Sequence, residues 1–563
     1  MKPRRCLRQL STGEAVRLLN YRCNHGACRQ RCSHFQGPVA MHPQYPTPLV
    51  PESKSHLLPS PTEVLHCYHF TLFHCTTLNA SSTTMRFLVL DLLGHQIVKL
   101  FASWLSLARR RKKVRDTGKV SSTLDILDNR TGRQYNIPIL NNAIDAKYLQ
   151  AISADGDNHV KTRPVDGLRV LDPGFQSTAV TKSRITYVEG VKGTIQYRMY
   201  SIEDLFEYHD FEEVAHLLIW GALPSLERKL SLRNALNEGL KPPALVTETI
   251  GRFPADAPPF SMVLAGLAAY AASDPNSIPT AANRPGMYQG DDVGVIDEAL
   301  VRTISSMAAI VALVYCRQRN RVISAPDPQA SFVCNVLLMM GFVDDETNKP
   351  KRTVVESLER LWILYCDHEM TNSTAAFLHV ASTLADPISC CSAYVASGNG
   401  PLHAGAVDLA YKALVQLGTP DNVPGMIADV KAKKYRLFGY GHRIYRTVDP
   451  RTKFIKAMLK ESEEHGRQNP LLAVALEIDR IASTDPYFTS RNLQANADLY
   501  GSFVYMALGF EPDIVAAMMM LSRMPGVMAH WRETRVEQRC PLWRPQQVYI
   551  GCDAQNISAS KDY

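Results

Sequence analysis

From Ser201 to Tyr549 the apolar side chains recur at the three- and four-residue spacing of buried helix faces, and a pattern sustained over that length commits the chain to a mainly α fold. Val354, Leu358, Leu361 and Leu364 mark one such face, and the stretches Ala375 to Leu384 and Ala404 to Leu417 read as further helices. Ser201 with Asp204 three residues on is a helix start; Gly221 with Pro224 closes a second helix that carries Val214, Leu217 and Leu218. Asp513 to Trp531 is apolar nearly all round with Pro525 inside, which predicts a kinked helix in a core or a subunit interface. Strand character is confined to the front of this region, where β-branched residues alternate around glycines from Ile185 to Arg198 and predict a hairpin.

The first 120 residues are different in kind. They hold 18 Lys and Arg against 5 Asp and Glu, whereas the rest of the chain carries 44 against 49. The net charge of +8 therefore belongs to the N-terminal segment and gives the main body no nucleic-acid character. Six of the 13 cysteines lie before residue 80, without the spacing of a secreted disulfide framework. Cys23, Cys28 and Cys32 near His25 and His34 resemble half of a zinc knuckle, but no second CxxC pair follows. Seven prolines between 36 and 63 read as linker. Polar residues interrupt the apolar run 86–108 at four-residue steps, so an amphipathic helix is expected there and no integral membrane span. The arginine-rich first 33 residues have the composition of an organelle presequence, so an intracellular, mitochondrial location is expected with a peroxisomal or cytosolic one as alternatives; the ending SASKDY is not the Ser-Lys-Leu peroxisomal signal. Residues 1–120 are accordingly expected to be an extension, and 552–563 a tail.

Three histidines sit among small and polar residues beside helical segments: His368 in CDHEMTNST, His403 in GNGPLHAGA and His442 in FGYGHRIYRTVDPR. A single histidine in such a context is more often a satisfied core or surface residue than a functional one. His368-Glu369 does not begin a zinc-protease motif, because position 372 is Asn. Pro401 places His403 near the start of the helix that follows, where the positive end of the dipole disfavours protonation, so a neutral, hydrogen-bonding imidazole is expected. Asp498 in NLQANADLYGS is the candidate base, with a helix N-cap as its competing role. Arg451, Arg523 and Arg544 read either as surface charges or as a carboxylate clamp.

The order and spacing of these motifs resembles the citrate synthase family from 121 to 551. It carries DNRTGRQY, GLRVLDPGF, GTIQYR, HEMTNST, GPLHAG, GYGHRIYRTVDPR, NAD and RPQQVYIG in sequence. The resemblance implies an all-helical, two-domain homodimer, with 121–402 plus 506–551 as the large domain and 403–505 as the small one. It places His403, His442 and Asp498 at the catalytic positions. His368, Arg451 and Arg523 fall at oxaloacetate-binding positions, and Arg544 is contributed across the dimer interface. The implied reaction joins an acyl-CoA to oxaloacetate and hydrolyses the thioester, with no metal or redox cofactor; coenzyme A enters as a thioester substrate. Where the family commonly has Tyr, Gly, Val and Phe, this chain has Asn399, Ala404, Ala497 and Leu499. Three of these four are smaller, which predicts a wider acyl pocket of the alkylcitrate or 2-methylcitrate synthase kind. Each further methylene buried there would contribute about 0.8 kcal/mol. The alternatives are an acetyl-CoA-specific enzyme and a non-catalytic homologue kept as a scaffold. An ATP-dependent citrate lyase would need a nucleotide-grasp region and a phosphohistidine loop, neither of which is visible.

Overall fold

A computed structural model describes residues 122–153, 167–290, 292–464, 469–538 and 541–551. The helix expected at 86–108, the cysteine and histidine cluster at 23–34 and the tail 552–563 lie outside the described residues. The chain divides into two compact units, Met1–Lys119 and Val120–Tyr563, and all described residues belong to the second.

Two small antiparallel sheets precede the helices. Strands β1 (Ser122–Asp128) and β2 (Arg133–Ile139) pair from Ser122↔Ile139 to Asp128↔Arg133. Gly132 takes φ +71 in the turn, where its N–H reaches the Asp128 carbonyl at 2.7 Å. Strands β3 (Thr186–Glu189), β4 (Thr194–Tyr197) and β5 (Tyr200–Ser201) form a meander that contains the hairpin predicted at 185–198. Its inward residues Ile185, Ile195 and Tyr197 are fully buried.

The remaining regular elements are helical. After the short α1 (Lys147–Gln150) come α2 (Ile202–Tyr208), α3 (Phe211–Trp220), α4 (Leu226–Gly239), α5 (Ala244–Gly251) and α6 (Pro259–Ser273). Next are α7 (Val293–Gln318), α8 (Phe332–Met339), α9 (Arg352–Tyr365), α10 (Asn372–Ala381), α11 (Pro387–Gly398) and α12 (Gly405–Leu417). The last are α13 (Val423–Lys431), α14 (Thr452–Glu464), α15 (Leu471–Ala482), α16 (Pro486–Thr489), α17 (Ala497–Ala507), α18 (Val515–Ser522) and α19 (Met524–Glu533). Their starts are written in side chains that accept orphan backbone N–H groups: Ser201, Asp210, Ser225, Ser331, Thr371 and Asp386 each bond the third residue of the helix they precede. The Thr371 cap starts α10 three residues before the expected Ala375. Gly221 ends α3 at φ +82, as its position predicts.

Helix α7 is apolar and long enough to cross a membrane, yet 89% of its most apolar stretch is buried inside the protein, so it serves as the central core helix. Leu358, Leu361 and Leu364 face the same core, which also encloses Trp362 and Trp531 completely. The single kinked helix predicted over Asp513 to Trp531 is instead a 3₁₀ turn followed by α18 and α19, broken at Arg523. Pro525 sits in the first turn of α19, where its missing N–H costs no helical bond.

Candidate active site

Five chain segments converge, and each owes its path to a local rule. His368 lies in the loop between α9 and α10, where Glu369 adopts φ +55 and fixes its own position by accepting the Val188 N–H of β3 at 2.7 Å. His403 ends the tight turn from α11 into α12. His442 follows Gly439 and Gly441, at φ +77 and +89. A Cβ on Gly439 would come within 3.0 Å of the Leu499 backbone, so only glycine lets this loop lie against α17. Gly441 N–H to the Gln494 carbonyl (2.6 Å), Asn496 N–H to the Gly439 carbonyl (3.1 Å) and Asn496 Nδ2 to the Gly441 carbonyl (2.8 Å) then stitch the His442 loop to the start of α17.

Asp498 stands in the first turn of α17. The N-cap role that competed for it falls to Asn496, whose side chain accepts the Asp498 N–H at 2.9 Å. The Asp498 carboxylate takes no hydrogen bond from another described residue; burial raises its pKa, against the opposing pull of Arg451 and Arg523. A carboxylate with little hydrogen-bond stabilisation is a better proton acceptor than a solvated one.

The imidazoles are held neutral. Burial, reinforced by Arg451 and Arg523, lowers His442 to about 4; burial and then Arg523 lower His403 to about 4. His368, fully enclosed, is depressed by burial first and by Arg451, His442 and Arg523 after it. The tautomer of His442 follows from its neighbours. Its Nδ1 accepts the backbone N–H groups of Ile444 (3.1 Å) and Tyr445 (3.3 Å), so the ring proton resides on Nε2. His368 bonds Tyr445 Oη at 2.8 Å through Nε2, and its ring centroid is 5.3 Å from that of His442. His403 Nε2 meets Ser373 Oγ at 2.7 Å.

Arg451 is buried and aimed. Asp449 grips it through Nε (3.0 Å) and Nη2 (2.6 Å) and accepts the Ala497 N–H at 3.2 Å, which ties the guanidinium to the first turn of α17. Tyr365 lies beneath with its ring centroid 5.3 Å from the guanidinium, and its hydroxyl donates to the Ala497 carbonyl at 3.2 Å. Its own carbonyl accepts Arg523 Nε at 3.2 Å, which turns the arginine at the α18/α19 break toward the same place. Arg523 thus acts electrically on His368, His403, His442 and Asp498 alike.

The remaining predicted positions divide. Arg544 is exposed on the C-terminal segment and bonds none of these residues. Asn399 is exposed at the end of α11, and Ala404 is half-buried beside His403. Ala497 and Leu499, expected to widen an acyl pocket, are instead enclosed. Both backbone groups of Ala497 are taken up by Asp449 and Tyr365, and Leu499 is packed against Gly439, so neither offers an open wall to a ligand. A cavity of about 500 Å³, lined by Val354, Asn469, Pro470 and residues 506–509, lies at the opposite end of α17 and contains none of the candidate residues. Among the described residues no three His, Cys, Asp or Glu side chains are grouped as a metal site.

The family model described as citrate synthase, C-terminal domain, matches residues 174–546, which include every candidate residue above. The chain belongs to the citrate synthase family. Among curated relatives of this citrate synthase family member, the citrate synthase-like protein oryE of Aspergillus oryzae is 45% identical over 76% of this chain and 96% of its own. Alkylcitrate synthase tstJ of Talaromyces stipitatus is 36% identical over 76% and 94%, and the citrate synthase of Dictyostelium discoideum 34% over 77% and 83%. The fold is likewise that of solved citrate synthases. The Thermoplasma acidophilum enzyme, in a ternary complex with carboxymethyl coenzyme A and oxaloacetate, superimposes with a TM-score of 0.62 at 28% identity, covering 69% of this chain and 98% of that one. The Pyrobaculum aerophilum enzyme gives 0.63 at 27% identity, covering 73% and 99%.

Asp449, Tyr365, Ser373 and Tyr445 were not singled out from the sequence. Asp449 stood inside the VDPR motif beside Arg451, and a carboxylate two residues before a clamp arginine is the signal that could have found it. Tyr365 and Ser373 carry no such local sign, since their partners are 132 and 30 residues away.

Proposed function

We propose that the protein condenses an acyl-CoA with oxaloacetate and hydrolyses the resulting thioester, yielding a citrate or alkylcitrate and free coenzyme A. The observation that carries this is one base and two neutral imidazoles, 498 with 403 and 442, around the arginines 451 and 523. The Asp498 carboxylate removes a proton from the carbon beside the thioester. Charge then develops on the thioester oxygen, where His403 donates a hydrogen bond; with the Ser373 hydroxyl donating into Nε2, the imidazole proton stays on Nδ1 for that purpose. The enol carbon forms a bond to the keto carbon of oxaloacetate. The keto oxygen, which becomes an alkoxide, takes the proton that His442 holds on Nε2. Water then attacks the thioester carbonyl and the thiol leaves.

Arg451 and Arg523, with His368, suit the two carboxylates of oxaloacetate, because guanidinium groups bind such anions in pairs of parallel bonds. Arg544, exposed and bonding none of these residues, suits a role in the partner's site of a homodimer. Segment 403–505 carries His403, His442, Arg451 and Asp498, and its closure on the rest would keep water out until condensation is complete. Exposed Asn399 beside the turn to His403, and a relative named alkylcitrate synthase, favour an acyl chain longer than acetyl. The arginine-rich start favours import into an organelle, as a mitochondrial presequence would give; relatives named glyoxysomal and peroxisomal keep that compartment in view.

The test is thiol release from acetyl-, propionyl-, hexanoyl- and decanoyl-CoA with oxaloacetate. Wild-type enzyme should turn over at least one, with a longer chain preferred, and Asp498→Ala should lose at least about a thousandfold in kcat with its assembly unchanged. A clear preference for acetyl-CoA refutes the longer chain. Thiol release that survives Asp498→Ala refutes the mechanism, and a wild type inert with all four points to a scaffold.

A further inference from the structure

Asp479 lies on α15, outside the catalytic cluster, and belongs to no motif named above. Three side chains from three other segments converge on its carboxylate. Tyr500 Oη donates to Oδ2 at 2.7 Å, Lys456 Nζ donates to Oδ2 at 2.8 Å, and Tyr440 Oη reaches Oδ1 at 3.4 Å. Each donor stands a short step from a residue of the site. Tyr440 is two residues before His442, Tyr500 two after Asp498, and Lys456 five after Arg451. The Lys456 ammonium also lies 4.6 Å from the centre of the Tyr500 ring, so two of the three donors hold each other as well as the acid.

The donors suit the task. Tyr500 is fully buried and Tyr440 nearly so; burial first, and the neighbouring carboxylate second, keep both hydroxyls protonated and able to donate. Asp479 itself is largely enclosed, with its side chain 18% exposed, so its bonds are shielded more than those of a surface pair. Arg480, the next residue, points outward to Glu477 and takes no part. A structural role limited to holding α15 in place would need one partner, whereas the acid ties together the elements that carry His442, Arg451 and Asp498.

We propose that Asp479 is a positioning residue for the condensation, setting the loop of His442, the α14 end that bears Arg451 and the first turn of α17 in register. This rests on the reaction proposed above. The three segments are joined near the substrates by Asn496 and Asp449, and Asp479 joins them a second time from behind. Two separated ties define an orientation where one leaves a pivot. A displacement of about 1 Å in a reacting group costs about a hundredfold in rate, so loss of the rear tie should be read in kcat.

The experiment is a mutant cycle measured as kcat for thiol release and as oxaloacetate affinity by calorimetry. Asp479→Ala should lower kcat tenfold to a hundredfold and weaken oxaloacetate severalfold. In a Tyr440→Phe/Lys456→Met/Tyr500→Phe background the same change should do little more, because the acid acts through those three donors. Tyr505→Phe, which removes the buried bond from Trp362 Nε1 (3.1 Å) on the same helix as Tyr500 and leaves every bond to Asp479 in place, is the control for stability loss alone. An Asp479→Ala enzyme no slower than Tyr505→Phe, or one equally impaired in both backgrounds, overturns the proposal. A wild type that releases no thiol defeats the condensation and not the hub, which is then decided by the oxaloacetate affinities of the same cycle.

Discussion

His403 and His442 are both pushed down to about 4 from an ordinary value near 6.5, so between those pH values the unfolded chain binds protons that the folded chain refuses. Stability therefore falls on acidification through that window and is fully present above it. The cost is about 1–2 kcal/mol for each ring by pH 5, with Asp498 offsetting part because its raised pKa favours protonation in the fold. Proton NMR of the imidazoles should show neither His403 nor His442 titrating near 6.5, and His442→Asn should flatten the stability profile between pH 5 and 7. A ring charged at neutral pH would overturn the neutral state assigned to it, since an imidazolium donates from both nitrogens. At this scale the types of the candidate side chains were legible from their motifs, and His403 was expected to be neutral. The cause differs: burial and Arg523 lower its pKa, where the helix dipole had been invoked. What could not be read were the partners that aim these groups, since Tyr365 meets Ala497 across 132 residues and no local spacing encodes that encounter.

At the scale of elements, caps and glycines were the readable part. Ser201 and Gly221 bound their helices as their types require, while α10 and the α18/α19 pair departed from the apolar pattern because Thr371 supplied an earlier cap and Pro525 sits in the first turn of a second helix. Apolar periodicity shows which face is buried and is silent on where a helix breaks. Two glycines of similar backbone separate conformational strain from contact. Gly132 has φ +71 with nothing within 4 Å of an added Cβ, and Gly439 has φ +77 with Leu499 at 3.0 Å. Gly132→Ala should cost about 1–2 kcal/mol in stability and leave thiol release unchanged. Gly439→Ala adds the collision that pushes the His442 loop from α17, and it should lower kcat by about a hundredfold or more. Denaturation midpoints and kcat measured on both variants check this; equal activities would mean that the close approach of loop and helix does not matter for catalysis.

Across the whole molecule, the helical class and the residues of the candidate site were readable from apolar periodicity and from the order of the motifs, which begin only after residue 120. Ala497 and Leu499, two of the four positions expected to enlarge the acyl pocket, are enclosed, with Tyr365 bonded to the Ala497 carbonyl and the Gly439 loop lying against Leu499. Assembly is where one chain leaves its own question open: Arg544 is exposed and bonds none of the residues gathered around Arg451 and Arg523. If it completes the site of a partner, Asp498→Ala and Arg544→Ala are each inactive alone but complement one another. A heterodimer of the two holds one site with both groups intact and one with neither. Random exchange of equal amounts makes half the dimers mixed, so about a quarter of wild-type thiol release should return. Activity that stays at the level of the separate variants after verified subunit exchange would place Arg544 in its own chain's site or in none, and the oxaloacetate clamp would then have to be complete within a single subunit.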